Sequence, residues 1–298
     1  AQARLKRISF YHPDFDKMME PPWWQWNPPE DRALALGPDF WVAAAAAWAW
    51  CAVTGLLSVA FAGRVFGRAF ADLDADTKVV WHQYSYCLFC GCISVSLLVG
   101  EMPTLFWERA FDADFHYNGR PLPGCHRAFG FSMGFLAFDL VVMLIWRRAI
   151  IAAAKKAMYL QMMLHHSISI FCWPQVLWRQ CGWGYVAYCV TTEGTSLFTN
   201  LHWLLRTAKT SSTVNAALLF FSYLFVRVLP VPWVVWLWWN APKRNWLWVE
   251  YVVGGAVFPL PLLLNLFWFS FIFKGAVALV SGGGAKTSSK DAAIRKTN

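Results

Sequence analysis

From Leu160 to Lys209 the chain reads LQMMLHHSISIFCWPQVLWRQCGWGYVAYCVTTEGTSLFTNLHWLLRTAK. An adjacent histidine pair, a glutamate and an asparagine lie here within sequence that is otherwise apolar and aromatic. Polar side chains at hydrocarbon depth are unfavourable, and they usually face a protein interior or a water-filled cavity. We therefore expect this stretch to hold the functional site and the rest of the chain to support it.

The composition of the 298-residue chain indicates a membrane protein. Hydrophobic residues make up 58% of it and charged residues 14%, and it contains 20 Trp and 24 Phe. A water-soluble core of ordinary composition cannot accommodate so many apolar side chains. The net charge of +9 comes from Lys and Arg in short loops and tails around apolar runs, which is a membrane orientation pattern, so nucleic-acid binding is not expected.

Seven apolar segments, each near the roughly 20 residues needed to cross a bilayer, predict an all-α, multi-pass transmembrane helical bundle of seven helices. The segments are Asp39–Phe61, Val79–Val99, Arg127–Trp146, Ala157–Trp178, Gly184–Leu205, Val214–Trp238 and Trp248–Phe273. Short connections between them predict antiparallel neighbours. Lys and Arg near the segment ends are more numerous on one side, which predicts a C-terminus inside and an N-terminus outside.

Both ends of the chain differ from the apolar segments. Residues 1–37 form a polar arm rich in Pro and Trp, which favours extended backbone and an anchor at the membrane interface. A docking arm for a partner protein is the alternative. Residues 276–298 form a glycine-containing, basic tail with no reason to fold alone. Through this arm and this tail the chain would contact partner membrane subunits.

The polar residues in the apolar segments fall at two depths. Counting 1.5 Å per helical residue from the inner segment ends places Asp139, His165 and Asn265 about 12 Å deep, and Glu193 and Arg227 about 18 to 20 Å deep. Each of the two deeper charges alone would carry a large desolvation cost. Their equal depth therefore predicts an ion pair between Glu193 and Arg227.

The fifth segment carries polar residues at helical spacing. Glu193, Ser196, Asn200 and Trp203 recur at i, i+3, i+7 and i+10, which is one face of a helix, and we expect that face to point inward. The predicted polar lining of a lipid cavity comprises Asp139, Glu193, Ser196, Asn200, Arg227 and Asn265.

The His165-His166 pair offers acid–base chemistry. Adjacent helical residues diverge by about 100°, so the two rings cannot clamp a metal as an i, i+4 pair does. One imidazole could act as a general base and the other could orient it, since imidazole titrates near neutral pH. Alternatively, both are structural and bond to Asp139 or to a backbone carbonyl. No metal and no cofactor are expected.

The cysteines suggest structure more than chemistry. The CLFCGC run from Cys87 to Cys92 lies inside an apolar segment and has no second cysteine pair, which favours buried thiols. Cys125 and Cys181 fall on loops predicted to lie outside, where a disulfide would require an oxidising compartment.

Five separated motifs resemble the TLC-domain family, a lipid-associated membrane fold that includes the ceramide synthases. They are GFLAFD ending at Asp139, MLHH ending at His166, EGTSLFTNLHW from Glu193, FVR ending at Arg227 and LNLFW from Leu264. The resemblance runs from about His82 to Gly275. It implies a six-helix barrel around a lipid-accessible cavity, here residues 79–275, with the first helix and its loop, residues 38–78, outside the barrel.

One departure separates the chain from the ceramide synthases. The ceramide synthases share the His pair with this chain. For acyl transfer they also carry a His-Asp pair and a further Asp on the next helix. Here Cys189 and Val190 stand where His and Asp would fall, and Glu193 occupies the later acidic position. The chain thus looks more like the non-ceramide-synthase branch. Any catalysis would be acyltransferase-like, with His165 or His166 as the base.

Two functions follow from these observations. The leading hypothesis is a protein that binds or handles the acyl chain of a membrane lipid in its barrel, in an endomembrane by family resemblance. The alternative is a non-catalytic accessory or scaffold subunit of a large complex in the mitochondrial inner membrane or the thylakoid. The lack of an initiator Met would fit such a processed organellar protein.

Overall fold

The computed structural model describes residues 36–242, 246 and 248–281. Nearly all of the arm and most of the tail, for which partner contacts were predicted, lie outside these residues. The helices are α1 Gly37–Phe66, α2 Arg68–Ala71, α3 Ala75–Cys87, α4 Cys90–Ser96, α5 Ala113–Asn118, α6 Pro123–Ile145, α7 Arg147–Ala154, α8 Lys156–Arg179, α9 Trp183–Glu193, α10 Ser196–Thr207, α11 Thr213–Tyr223, α12 Val231–Asn240, α13 Trp248–Val257 and α14 Pro259–Val280. The predicted all-α class is confirmed.

Five helical segments of the described chain are long and apolar enough to cross a membrane. They are Gly37–Phe66, Ala75–Glu101, Pro123–Ile145, Thr213–Asn240 and Glu250–Ala278. The predicted count of seven is not confirmed. The fourth predicted segment is helical as α8 and the fifth as α9 and α10. Neither is among the five, because their polar residues lower the hydropathy of both.

The first helix lies against the rest of the bundle through a close backbone contact. α1 packs on α6 and α3. A Cβ atom at Gly130 would lie 2.2 Å from the carbonyl oxygen of Phe40, and one at Gly134 would lie 2.3 Å from that of Ala44. Small residues four apart allow two membrane helices to approach this closely, and dispersion forces then hold them together.

Two of the predicted segments are broken where they meet. The second divides at Leu88–Phe89 into α3 and α4, and the fifth divides at Gly194–Thr195 into α9 and α10. α4 contacts α9, and a Cβ atom at Gly91 would lie only 1.9 Å from the carbonyl oxygen of Glu193. The close approach requires glycine at position 91. The prediction of one continuous helix over residues 184–205 is wrong, because the helix is interrupted at Gly194–Thr195, beside this contact.

The main apolar core lies where α6, α8 and α9 meet. Phe129, Leu136, Leu177 and Trp183 are almost completely buried there. Cys125, in the first turn of α6, is a buried free thiol, so it forms no disulfide with Cys181. This core holds the inner faces of three helices in fixed register, and those faces carry the polar residues of the site.

Candidate functional site

Two cavities lie inside the bundle. The larger, of about 130 Å³, is walled mainly by apolar and aromatic side chains from α8, α9, α13 and α14, and we name it the apolar chamber. The smaller, of about 100 Å³, is lined by α3, α6, α7, α8 and the α9–α10 region, and we name it the polar chamber. Its polar lining comprises Gln83, Tyr84, Asp139, His165, His166, Glu193, Ser196 and Asn200.

His165 and Glu193 line both chambers and stand between them. The His165 Nε2 atom lies 3.6 Å from the Glu193 Oε1 atom, and the two side chains are 16% and 9% exposed. This separation is longer than a good hydrogen bond but within the reach of an ion pair. The two side chains therefore form a partition between the chambers.

Asp139 and His166 form the most tightly bonded cluster. The Asp139 Oδ2 atom lies 2.8 Å from His166 Nε2, while Oδ1 accepts from Gln83 Nε2 at 2.9 Å and from the Tyr86 hydroxyl at 2.6 Å. The other ring nitrogen of His166 lies 2.8 Å from the Met162 carbonyl oxygen. Both ring nitrogens of His166 therefore face oxygen atoms that can accept a hydrogen bond. A neutral imidazole has only one N–H group, so one additional proton must lie between His166 and Asp139, either on the ring or on the carboxyl group.

The two adjacent histidines therefore differ in their surroundings. The His166 ring is enclosed, and both its nitrogens are engaged. The His165 ring lies 5.5 Å away at a steep angle and reaches both chambers. This divergence follows from the 100° between successive helical residues. Only His165 is placed to contact a ligand in the apolar chamber.

Arg227 projects from a local irregularity in its helix. Residues Leu224–Val228 form a π-helical turn between α11 and α12. The hydroxyl of Tyr188 donates to the Arg227 carbonyl oxygen at 3.1 Å, which satisfies a backbone acceptor next to that turn. Single π-turns inside α-helices often occur at functional positions.

Arg227 is 6% exposed, and neutral oxygen atoms surround its guanidinium group. Its Nε donates to Thr195 Oγ1 at 2.7 Å, Nη1 to Asn265 Oδ1 at 2.9 Å and Nη2 to the Thr192 carbonyl at 2.8 Å. Its Cζ atom lies 4.8 Å from the centroid of the Tyr223 ring. Arg227 and Asn265 both line the apolar chamber, so this charge lies at the polar end of an apolar cavity.

The predicted Glu193–Arg227 ion pair does not form. Among the described residues, no carboxylate lies within 4.0 Å of the Arg227 nitrogens, and Glu193 instead lies 3.6 Å from the His165 ring. The break after Glu193 is the physical reason: it presents the Thr192 carbonyl and the Thr195 hydroxyl as acceptors for the guanidinium. Equal depth brought Glu193 and Arg227 to one chamber, but it did not determine where their side chains point.

Each of the predicted site residues lines at least one chamber. His165, Glu193, Arg227 and Asn265 line the apolar chamber, and Asp139, His165, His166, Glu193, Ser196 and Asn200 line the polar chamber. Asp139, His165 and Asn265 were placed in one layer, yet Asp139 bonds to His166 and Asn265 bonds to Arg227. The layer is therefore divided between the two clusters.

Sequence reasoning missed three residues of these clusters. Gln83 and Tyr86 both bond to Asp139, and Thr195 bonds to Arg227. A signal for the first two was present, since residues three apart share a helix face and these are polar groups in an apolar segment. Nothing in the sequence pattern distinguished Thr195 from the other threonines of the fifth segment.

An ion pair ties one wall of the apolar chamber to the bundle. Val253, Gly254 and Val257 on α13 line the chamber. The Arg179 Nε atom, at the end of α8, donates to Glu250 Oε1 in the first turn of α13, and Nη2 lies 3.3 Å from Oε2. Two parallel contacts fix the orientation of an Arg–carboxylate pair better than a single contact does. α13 is thereby held across the chamber.

Comparison with known proteins gives one result. The family model of the TLC domain matches residues 78–274, which is more than half of the chain. No curated protein and no solved structure matches significantly. The matched range covers the segments that build both chambers, and it agrees with the motifs of the sequence. The chain belongs to the TLC-domain family of multi-pass membrane proteins.

Proposed function

We propose that this protein binds the acyl chain of a membrane lipid in the apolar chamber. The observation that carries the proposal is a largely apolar cavity of about 130 Å³ with polar groups at one end. An apolar cavity of similar size, about 150 Å³, stays dry and binds benzene. The chamber as it stands accommodates a segment of a chain, and the remainder would extend between helices toward the bilayer.

Lipid extraction from the purified protein tests this proposal. Mass spectrometry of the extract should show a lipid enriched over the bulk membrane. Cys172→Trp should abolish the enrichment, because Cys172 lines the chamber and a tryptophan there fills it. Phe171→Trp is the matched control, because Phe171 is adjacent in sequence but its side chain is 68% exposed. Equal lipid composition in wild-type protein and bulk membrane would oppose the proposal.

Acyl transfer is a second function, favoured by the position of His165 between the two chambers. An acyl donor in the apolar chamber and a small acceptor in the polar chamber would meet at this imidazole. His165 would take the proton of the acceptor as the acceptor attacks the carbonyl carbon of the acyl thioester, and the Glu193 carboxylate would stabilise the imidazolium. The C–S bond would then break, and the imidazolium would return the proton to the departing thiolate. His165→Ala should then remove turnover of a radiolabelled acyl thioester, whereas Cys189→Ala should leave it largely intact. Equal loss in both variants would argue against this role.

We also infer an endomembrane location with the C-terminus on the cytoplasmic side. The inference rests on family membership and on the greater number of Lys and Arg at one set of segment ends. A C-terminal tag should be digested by protease added to intact microsomes. Protection of the tag, or recovery of the protein in mitochondria or plastids, would contradict it.

A further inference from the structure

The charge at Arg227 is less directly compensated than the other buried charges of the site. Asp139 is bonded to His166 at 2.8 Å, and Glu193 lies 3.6 Å from His165. Arg227 has three neutral acceptors in place of a carboxylate. These bonds use three of the five N–H groups of a guanidinium. A buried cation with donors still available at the wall of a cavity is suited to an anionic oxygen.

A ligand that comes from the bilayer must be selected by its polar end, so the charge of Arg227 determines which lipid binds. A lipid that moves from the bilayer into the apolar chamber exchanges one apolar environment for another, so burial of its chain gives little net preference. Selection therefore depends on the polar end of the ligand. In the apolar chamber that end meets the cluster of Arg227, Asn265, His165 and Glu193.

We propose that Arg227 binds the anionic head of a single-chain lipid whose hydrocarbon chain enters the apolar chamber. The chemistry is an oxyanion on a hydrocarbon chain, either the carboxylate of a fatty acid or the phosphate of an alkyl phosphate. Asn265 holds the guanidinium in place, together with the Thr195 hydroxyl and the Thr192 carbonyl, and Glu193 lies against His165. The inference rests on the proposed acyl-chain binding and adds the class of head group.

Saturable binding of three probes with the same chain tests the head group. The probes are radiolabelled oleate, methyl oleate and oleyl phosphate, measured on purified full-length protein in nanodiscs at pH 8. An anionic probe should bind about tenfold or more tightly than methyl oleate, as expected for a charge-assisted hydrogen bond. Tighter oleate identifies a fatty acid, and tighter oleyl phosphate identifies a phosphate-headed lipid.

Variants assign the preference to Arg227. Arg227→Gln should reduce oleate binding to the level of methyl oleate, and Arg227→Lys should retain a preference for the anionic probes. Arg206→Gln is the matched control, because Arg206 is exposed on α10 and its loss should change nothing. Equal binding of all three probes to the wild-type protein overturns the head-group proposal while acyl-chain binding stands. Absence of saturable binding for every probe overturns both.

Discussion

The two charged clusters of this site are buried to a similar extent but are satisfied differently. In the Asp139 cluster, a carboxylate meets an imidazole directly and two further side chains complete its hydrogen bonds. In the Arg227 cluster, a cation is held by neutral oxygens beside the larger cavity. A closed ion pair contributes structure, whereas a cation with no carboxylate in direct contact retains the capacity to bind an anion. The difference separates a structural cluster from a candidate ligand site.

The largest expected effect comes from opening the closed cluster. Asp139→Leu leaves His166, Gln83 and Tyr86 without their acceptor and should destabilise the protein by about 3–5 kcal/mol, as expected when one partner of a buried ion pair is removed. The double variant with His166→Leu should recover part of this loss. Thermal unfolding in detergent provides the measurement.

An exposed carboxylate on α3 gives the reference for this effect. Asp76→Leu removes an exposed charge and should change stability by no more than about 0.5 kcal/mol. If Asp139→Leu is no more destabilising than Asp76→Leu, the Asp139–His166 contact is not structural, and the contrast between the clusters is lost.

A smaller loss is expected in the open cluster. Arg227→Leu removes the donor to the Asn265 amide oxygen and to the Thr195 hydroxyl oxygen, whereas the Thr192 carbonyl keeps its bonds from Thr195, and the expected loss is about 1–3 kcal/mol. Adding Glu193→Gln should give no recovery, because Glu193 and Arg227 are not paired, and the interaction energy should stay below about 0.5 kcal/mol. The same unfolding series distinguishes this structure from the ion pair predicted from depth. If the double variant regains more than about 1 kcal/mol of stability, Glu193 and Arg227 do form an ion pair.

The smallest effect concerns His116, a buried histidine. Its Nε2 atom faces a backbone carbonyl, whereas that of His166 faces a carboxylate. His116 Nε2 lies 3.0 Å from the Arg109 carbonyl oxygen. Burial lowers the pKa of His116 below its ordinary value, because the imidazolium is poorly solvated there. The unfolded chain takes up this proton below about pH 6.5. The folded protein binds fewer protons, so its stability should decrease as the pH falls through that value.

Thermal unfolding between pH 7.5 and 5.5 measures this slope. A single group contributes at most about 1.4 kcal/mol per pH unit. His116→Gln should flatten the slope, because glutamine does not titrate. An unchanged slope in this variant would show that other groups cause the pH dependence.

Much of the fold could be predicted because membrane solvation acts on whole segments. Long apolar runs predicted the helical class, and separated motifs predicted the TLC domain. Helix breaks were missed for a physical reason. The divisions at Leu88–Phe89 and at Gly194–Thr195 lie close to the contact between α4 and α9, and hydropathy contains no information on such a tertiary contact.

The site was predictable by depth but not by direction. Counting residues placed Glu193 and Arg227 at one level, and both line the apolar chamber. Their partners depend on side-chain direction, which the helix break and the π-turn changed. Asp139 illustrates the same limit, since it was a predicted partner of the histidine pair, but only the helical register of α8 decides that His166 and not His165 meets it.

Because of the π-turn at Leu224–Val228, the direction of the Arg227 side chain depends on the number of residues in this segment. Such a turn spans one residue more than an α-helical turn. Deleting one residue from it would restore ordinary helical turns and change the directions of the side chains within the turn, Arg227 among them. Every amino acid of the chamber could then remain while the guanidinium turned away. Among relatives, the length of this segment would therefore be as informative as the identity of its residues.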